Sequence, residues 1–275
     1  MTAAEQPTAA RLLDTPSGPI AVLQAGSGTP ALLVPGYTGS KEDFAPLLPI
    51  LADAGFAVTA IDLPGQFESP GPVDPLAYTP IRLAQVVTEV AESLGAPVHL
   101  VGHSFGGLVA RAVVLADPGM VASLVLMGSG PAALGGARAA LIEQLAPLLA
   151  ASGLPAVYAA SQAIYRAQPG YVEPPAATAA FLERRFLAGV PAMLQGMGEA
   201  LRSEPDRVAE LAATQVRTLV LYGVNDDAWP TPLQQQMAER LGAARAVIDG
   251  AAHSPAVENP ADTAAALIEF WRDGT

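Results

Sequence analysis

Ser104 lies in Gly102-His103-Ser104-Phe105-Gly106-Gly107, where the apolar run Val98-His99-Leu100-Val101 turns abruptly into the helix-like Leu108-Val109-Ala110-Arg111-Ala112-Val113. A serine at so tight a strand-to-helix turn sits on a strained backbone with its hydroxyl lifted clear of the sheet. Glycines must flank it, because larger side chains would clash across the turn. The start of the following helix adds a field that favours negative charge near the hydroxyl. Ser104 is therefore a candidate nucleophile, and it needs a base to take its proton before it can attack a carbonyl.

The chain offers three histidines. His99 lies inside the strand-like run and is expected to pack or hydrogen-bond there. His103 is the variable residue of the turn, with a supporting or substrate-contacting place beside Ser104. His253 follows the short strand Ala244–Asp249, in the loop Gly250-Ala251-Ala252-His253-Ser254-Pro255. That loop carries it to the same sheet edge as Ser104, so His253 is the candidate base. Its imidazole needs a carboxylate to hold the right tautomer and stabilise the charged form. Asp226 and Asp227, beyond the strand 216–223, compete for that place. As neighbours in an extended loop they point to different sides, so only one can face the histidine.

The elements that must position these residues follow from apolar runs and turn signals. Residues 31–36 read as a buried strand, 43–54 as a helix, Phe56–Asp62 as a strand, and Thr79-Pro80 as the capped start of a helix running to about Leu94. Strands at Val98–Val101 and Ser123–Met127 come next. Continuous apolar strands separated by helices predict a mostly parallel α/β sheet covered on both faces, with sites at the carboxyl ends of its strands. Between residues 130 and 202 no strand pattern is visible, and helices are expected at 137–151, 155–167, 176–188 and 190–202. An inserted helical lid is the expectation, dividing the chain into core (1–130), lid (131–202) and core (203–275). Phe181, Phe186, Met193, Leu194 and Met197 either line a pocket over Ser104 or pack the insertion onto the core. Arg184 and Arg185 are expected in solvent. Thr231-Pro232-Leu233-Gln234 reads as a capping box, and Asn259-Pro260 as the cap of a last helix ending near Arg272.

Composition narrows the function classes. At 51% hydrophobic and 15% charged, the chain suits a globular protein rather than a disordered one. A net charge of −12 opposes nucleic-acid binding, since the phosphate backbone would be repelled. The absence of cysteine excludes disulfides, zinc-thiolate sites and a thiol nucleophile. Met1–Pro7 has neither the basic region nor the apolar core of a signal peptide, and apolar stretches are broken before membrane-spanning length, 141–160 by Glu143, Gln144, Pro147 and Pro155. The expectation is a cytoplasmic monomer or homodimer without a membrane or nucleic-acid partner.

The serine turn, Asp62-Leu63-Pro64-Gly65 with Ser69, Gly223-x-x-Asp226-x-x-Trp229-Pro230 and the His253 loop together resemble the α/β-hydrolase superfamily, in its lid-bearing serine-hydrolase form. The resemblance runs from the Leu32–Gly36 strand to the final helix. It implies the order Ser104, Asp226, His253 for a catalytic triad, Asp226 being preferred to Asp227 on the family spacing. It also implies an oxyanion hole from the backbone N–H groups of Phe105 and Tyr37. Many members have His-Gly before the second donor, whereas this chain has Pro35-Gly36, which keeps the backbone donor but removes a side chain that braces the loop. The implied reaction is hydrolysis of a small-molecule ester or related acyl bond through an acyl-enzyme, with no cofactor and no metal. Lactone, thioester and carbon–carbon hydrolysis, perhydrolysis, and slow-turnover ligand binding use the same residues. His103, Trp229, Phe181, Met193 and Met197 are the candidate substrate contacts.

Overall fold

The computed structural model describes residues 10–168 and 170–273, so the reading of Met1–Pro7 lies outside the described residues. A hairpin of β1 (Arg11–Thr15) and β2 (Gly18–Ala25) precedes β3 (Thr29–Val34). Helix α1 (Leu48–Asp53) leads to β4 (Phe56–Ile61), α2 (Pro80–Ser93) to β5 (Val98–His103), and α3 (Phe105–Ala116) to β6 (Val121–Met127). Helices α4 (Gly136–Arg166), α5 (Ala176–Ala188) and α6 (Pro191–Ser203) follow, with no strand between them among the described residues. After α7 (Val208–Ala213) the alternation resumes with β7 (Thr218–Gly223), α8 (Thr231–Leu241), β8 (Ala244–Ile248), α9 (Pro255–Glu258) and α10 (Pro260–Arg272).

The eight strands form one sheet in the order β1-β2-β4-β3-β5-β6-β7-β8. Strands β3 to β8 are mutually parallel, and β2 joins β4 antiparallel. Because side chains alternate along a strand, each parallel strand feeds two cores. Leu32, Val34, Leu100, Leu126 and Val220 meet α2, α3 and α8 through Val87, Val109, Val113 and Met237. Leu33, Val101, Val125 and Leu221 meet α1 and α10 through Leu48, Leu51, Leu267 and Trp271. The predicted α/β fold with a helical insertion is therefore present.

Three local readings need correction. The β1–β2 hairpin was not foreseen: β1 is largely exposed, so it has no buried face to pattern its sequence. In α4, the break expected near residue 152 becomes a kink at Gly153 (φ 73°, ψ −172°), where two helices abut. Gly153 supplies a backbone that other residues resist, and Pro155 cannot continue the hydrogen-bond ladder behind it. The capping box at Thr231 does not form. Pro230 is the N-cap of α8 with no side-chain bond, and the Gln234 side chain turns into the interior instead.

The serine turn depends on close backbone packing. A Cβ on Gly102 would overlap the carbonyl oxygen of Gly106, and one on Gly106 would overlap that of Val34. Gly102→Ala is thus expected to cost about 2–3 kcal/mol of stability, read as a lowered urea midpoint. Gly135→Ala is the control, since nothing lies within 4 Å of an added Cβ there, and it should leave the midpoint in place.

Candidate active site

Ser104 occupies the junction of β5 and α3 at φ 54°, ψ −119°, a conformation that costs a non-glycine residue about 1–3 kcal/mol. It persists because the turn is tied on both sides: Ser104 N–H donates to Met127 O at 2.8 Å, and Gly107 N–H donates to Ser104 O at 2.9 Å. The hydroxyl projects from the carboxyl end of the parallel sheet, where the loops after β7 and β8 also arrive. His253 Nε2 lies 3.0 Å from Ser104 Oγ, and His253 Nδ1 lies 3.0 Å from Asp226 Oδ1. The structure thus brings together the three residues expected for the triad. Asp227 points the other way, to Arg138 at the surface.

Asp226 is buried and satisfied at both oxygens. Oδ1 also accepts the Ala228 N–H at 2.9 Å, and Oδ2 accepts the Gln234 side-chain N–H at 2.9 Å. Burial pushes the carboxyl pKa up, but the bonds from His253, Ala228 and Gln234, with the attraction of His253 whenever its ring is protonated, outweigh it and hold the group below the usual range. Asp226 therefore stays ionised and acceptor-only at neutral pH, which fixes the proton of His253 on Nδ1 and leaves Nε2 free to accept from Ser104.

His103 reaches across to the same loop: its Nε2 is 2.7 Å from the carbonyl oxygen of His253. A carbonyl only accepts, so this nitrogen carries the proton. Burial, reinforced by the nearby His253, pushes its pKa down to about 4, so the ring is neutral at pH 7. His103 borders the cavity described below, but its polar end is spent on the histidine loop. His99 packs flat on Trp271 and bonds Ser123 Oγ at 2.8 Å, as a strand histidine would.

Tyr37 follows β3 at the same sheet edge. Gly36 comes so close that a Cβ there would stand 3.0 Å from the Ser104 Cβ. The backbone N–H groups of Tyr37 and Phe105 meet no protein acceptor among the described residues. The Tyr37 hydroxyl is not free for substrate, since it donates to Leu194 O of α6 at 2.8 Å.

A cavity of about 410 Å³ opens over Ser104 and His253 between the sheet edge and α4–α6. Its apolar lining includes Leu134, Leu141, Ile142, Leu145, Leu149 and Leu194 together with the expected Phe186, beside the more polar Tyr158, Ser161 and Gln162. Four of the expected substrate contacts lie elsewhere. Trp229 is buried with its indole N–H on Ala132 O, and Met197 is fully buried in the core. Met193 packs over Gly65 beside a minor void, and Phe181 stands edge-on to Phe67. All four spend their apolar surface on packing, while Leu141, Ile142, Leu145 and Leu149 of α4 face the cavity together with Tyr158 and Tyr165. Arg185, expected in solvent, is mostly buried and pairs with Asp43 at 2.5 Å. Among the described residues no three acidic or histidine side chains gather as a metal site.

Gln234 is the site residue that sequence reasoning misplaced. The available signal was a polar residue on the inward face of α8, eight positions after Asp226. Gln234→Met is expected to cost about 1–3 kcal/mol at pH 7, because it leaves Asp226 Oδ2 buried without a donor. A depressed carboxyl pKa contributes stability above the unfolded value near 3.9, lost as pH falls through the lower folded value. The gap between wild type and variant in urea melts should therefore be full at pH 7 and shrink below about pH 4.

Comparison with known proteins places this geometry. Residues 31–266 match the model of the alpha/beta hydrolase family. The pimeloyl-[acyl-carrier protein] methyl ester esterase of Methylococcus capsulatus is 30% identical over 263 residues, covering 90% of this chain and 96% of that protein. A Variovorax paradoxus protein, which bears the provisional name carbamate hydrolase RutD, is 32% identical over 229 residues, covering 78% of this chain and 80% of its own. Among solved structures, an esterase from Thermogutta terrifontis superposes with a TM-score of 0.78 over 97% of this chain and 99% of its own at 23% identity, a likeness of fold. With its serine turn, parallel sheet and family-wide match, the chain belongs to the alpha/beta hydrolase family and is a hydrolytic enzyme of that family.

Proposed function

We propose that the protein hydrolyses small, uncharged carboxylic esters through an acyl-enzyme on Ser104. The observation that carries this reading is the unbroken contact line from Ser104 Oγ through His253 to Asp226, at 3.0 Å for each contact, opening onto an apolar cavity. His253 takes the hydroxyl proton as Ser104 attacks the ester carbonyl, then passes it to the departing alkoxide. The same nitrogen next removes a proton from water as it attacks the acyl-serine, then returns that proton to Ser104 Oγ as the acid departs. The N–H groups of Tyr37 and Phe105 meet the negative oxygen that develops at each tetrahedral stage, each donor being worth roughly 10²–10³ in rate.

The cavity wall supports an uncharged substrate. Its arginines are already neutralised, Arg138 by Asp227, Arg185 by Asp43 and Arg202 by Glu143. A carboxylate on the substrate would have to displace one of these partners, whereas an alkyl chain meets leucine and isoleucine. Helices α4–α6 act as a lid that keeps bulk water from the acyl-enzyme. The names of the similar esterases support ester cleavage without assigning their substrates to this chain.

Ser104 is expected to react with a fluorophosphonate probe in the folded protein and to be the labelled residue in peptide mapping. Ser104→Ala should abolish both labelling and turnover of p-nitrophenyl esters, with an unchanged melting temperature. Across a panel of acyl lengths, lactones and thioesters, neutral alkyl esters should give the highest kcat/KM. Ester turnover that survives in Ser104→Ala would place the chemistry elsewhere.

A further inference from the structure

Gln66 sits in the loop between β4 and α2, 1% exposed, and takes no part in lining the main cavity. The orientation of its side-chain amide is determined by its surroundings. The Leu63 N–H, which can only donate, is 2.9 Å from Oε1, so the NH₂ end faces the opposite way. There it donates to Gly36 O at 2.7 Å and approaches Tyr37 O at 3.3 Å.

The Gly36 carbonyl and the Tyr37 N–H are two ends of one peptide group. That group is planar and trans, so its N–H points opposite to its C=O. Whatever holds Gly36 O therefore aims the Tyr37 N–H. Two donors hold it, the Gln66 amide and the Gly39 N–H at 3.1 Å. Without them this peptide could rotate, because Gly36 has no Cβ to restrict its backbone. A hydrogen bond on the carbonyl also polarises the peptide and makes its N–H a better donor.

We infer that Gln66 is a positioning residue for the oxyanion hole: it holds and polarises the Gly36–Tyr37 peptide so that the Tyr37 N–H meets the transition-state oxygen. This rests on the acyl-enzyme reading above. It also accounts for how a loop that begins Pro35-Gly36, without a bracing side chain of its own, keeps its donor in place. Gln66 acts entirely through the peptide and touches no substrate.

The test compares wild type with Gln66→Met, which keeps the length but loses the donors, and Gln66→Glu, which sets acceptors against the two carbonyls. On the best p-nitrophenyl ester, kcat should fall roughly 10- to 100-fold in both, part of the effect of losing one donor, while KM stays within about threefold. Affinity for an alkyl boronic acid, which forms a tetrahedral adduct on Ser104, should fall in parallel with kcat. A folded variant with wild-type kcat, or with lowered kcat and undiminished boronate affinity, would overturn the inference. Should neither variant fold, the wild-type protein still decides. On boronate binding, the amide resonances of Tyr37 and of the Gln66 NH₂ should shift together with that of Phe105. A shift at Phe105 alone would count against Gln66. Wild-type turnover is measured alongside: its absence sinks the acyl-enzyme reading, whereas active wild type with unaffected variants sinks only the role of Gln66.

Discussion

A serine held at φ 54° has no resting place in a strand or a helix, so its surroundings must impose the conformation. In this protein the restraint comes from the sheet. Gly102 pairs with Val34 on one side and Leu126 on the other, which sets β3, β5 and β6 in register around the turn. The Ser104 N–H is then delivered to Met127 O, and the glycines at 102 and 106 let carbonyl groups of neighbouring segments approach where no side chain would fit. The strain at one residue is thus supported by two buried cores, one on each face of the sheet. The same register brings Gly36 against Ser104.

The loops after β7 and β8 are held by hydrogen bonds rather than by apolar packing. Asp226 accepts from His253, Ala228 and Gln234, and His103 donates to the His253 backbone. The carboxylate and both imidazoles find partners, which keeps the cost of burying them low. The arrangement places the charges asymmetrically. One carboxylate stays ionised, one histidine is kept neutral by burial, and the other bridges the carboxylate to the serine. In the proposed mechanism, that asymmetry is what lets a single proton move between Ser104 and His253.

The helical insertion is pinned at its base and at its rim. Arg111 of α3 is buried and donates to Pro131 O and to Glu204, closing the two ends of the insertion together. At the rim, Tyr37 bonds the α6 backbone, Arg185 of α5 pairs with Asp43, and Phe181 stands against Phe67. Phe67 itself sits at φ 35° with the Lys41 ammonium 4.8 Å above its ring. Large aromatic and charged side chains thus hold the insertion, while Leu141, Ile142, Leu145 and Leu149 of α4 face the cavity.

Much of the fold was legible because it is written locally. Apolar runs with turn residues between them marked β3 to β8, and glycine spacing marked the strained serine. The turns that carry Ser104, the Asp226–Asp227 pair and His253, with the helical stretch between 130 and 202, needed only neighbouring residues to read. What escaped depends on contacts between distant segments. The β1–β2 hairpin is held by pairing rather than by a patterned face. Gln234 bonds a carboxylate eight residues back instead of capping its own helix, and Gln66 reaches a loop thirty positions away. Of the side chains expected at the substrate, Phe186 does line the cavity, whereas Phe181, Met193, Met197 and Trp229 are spent on packing. Which residues can do chemistry, and which end of the sheet carries them, can be read along the chain because strand periodicity and turn stereochemistry are local. Which carboxylate faces His253, what holds the Tyr37 peptide and what lines the cavity emerge only on folding, because they depend on where separate loops meet in space.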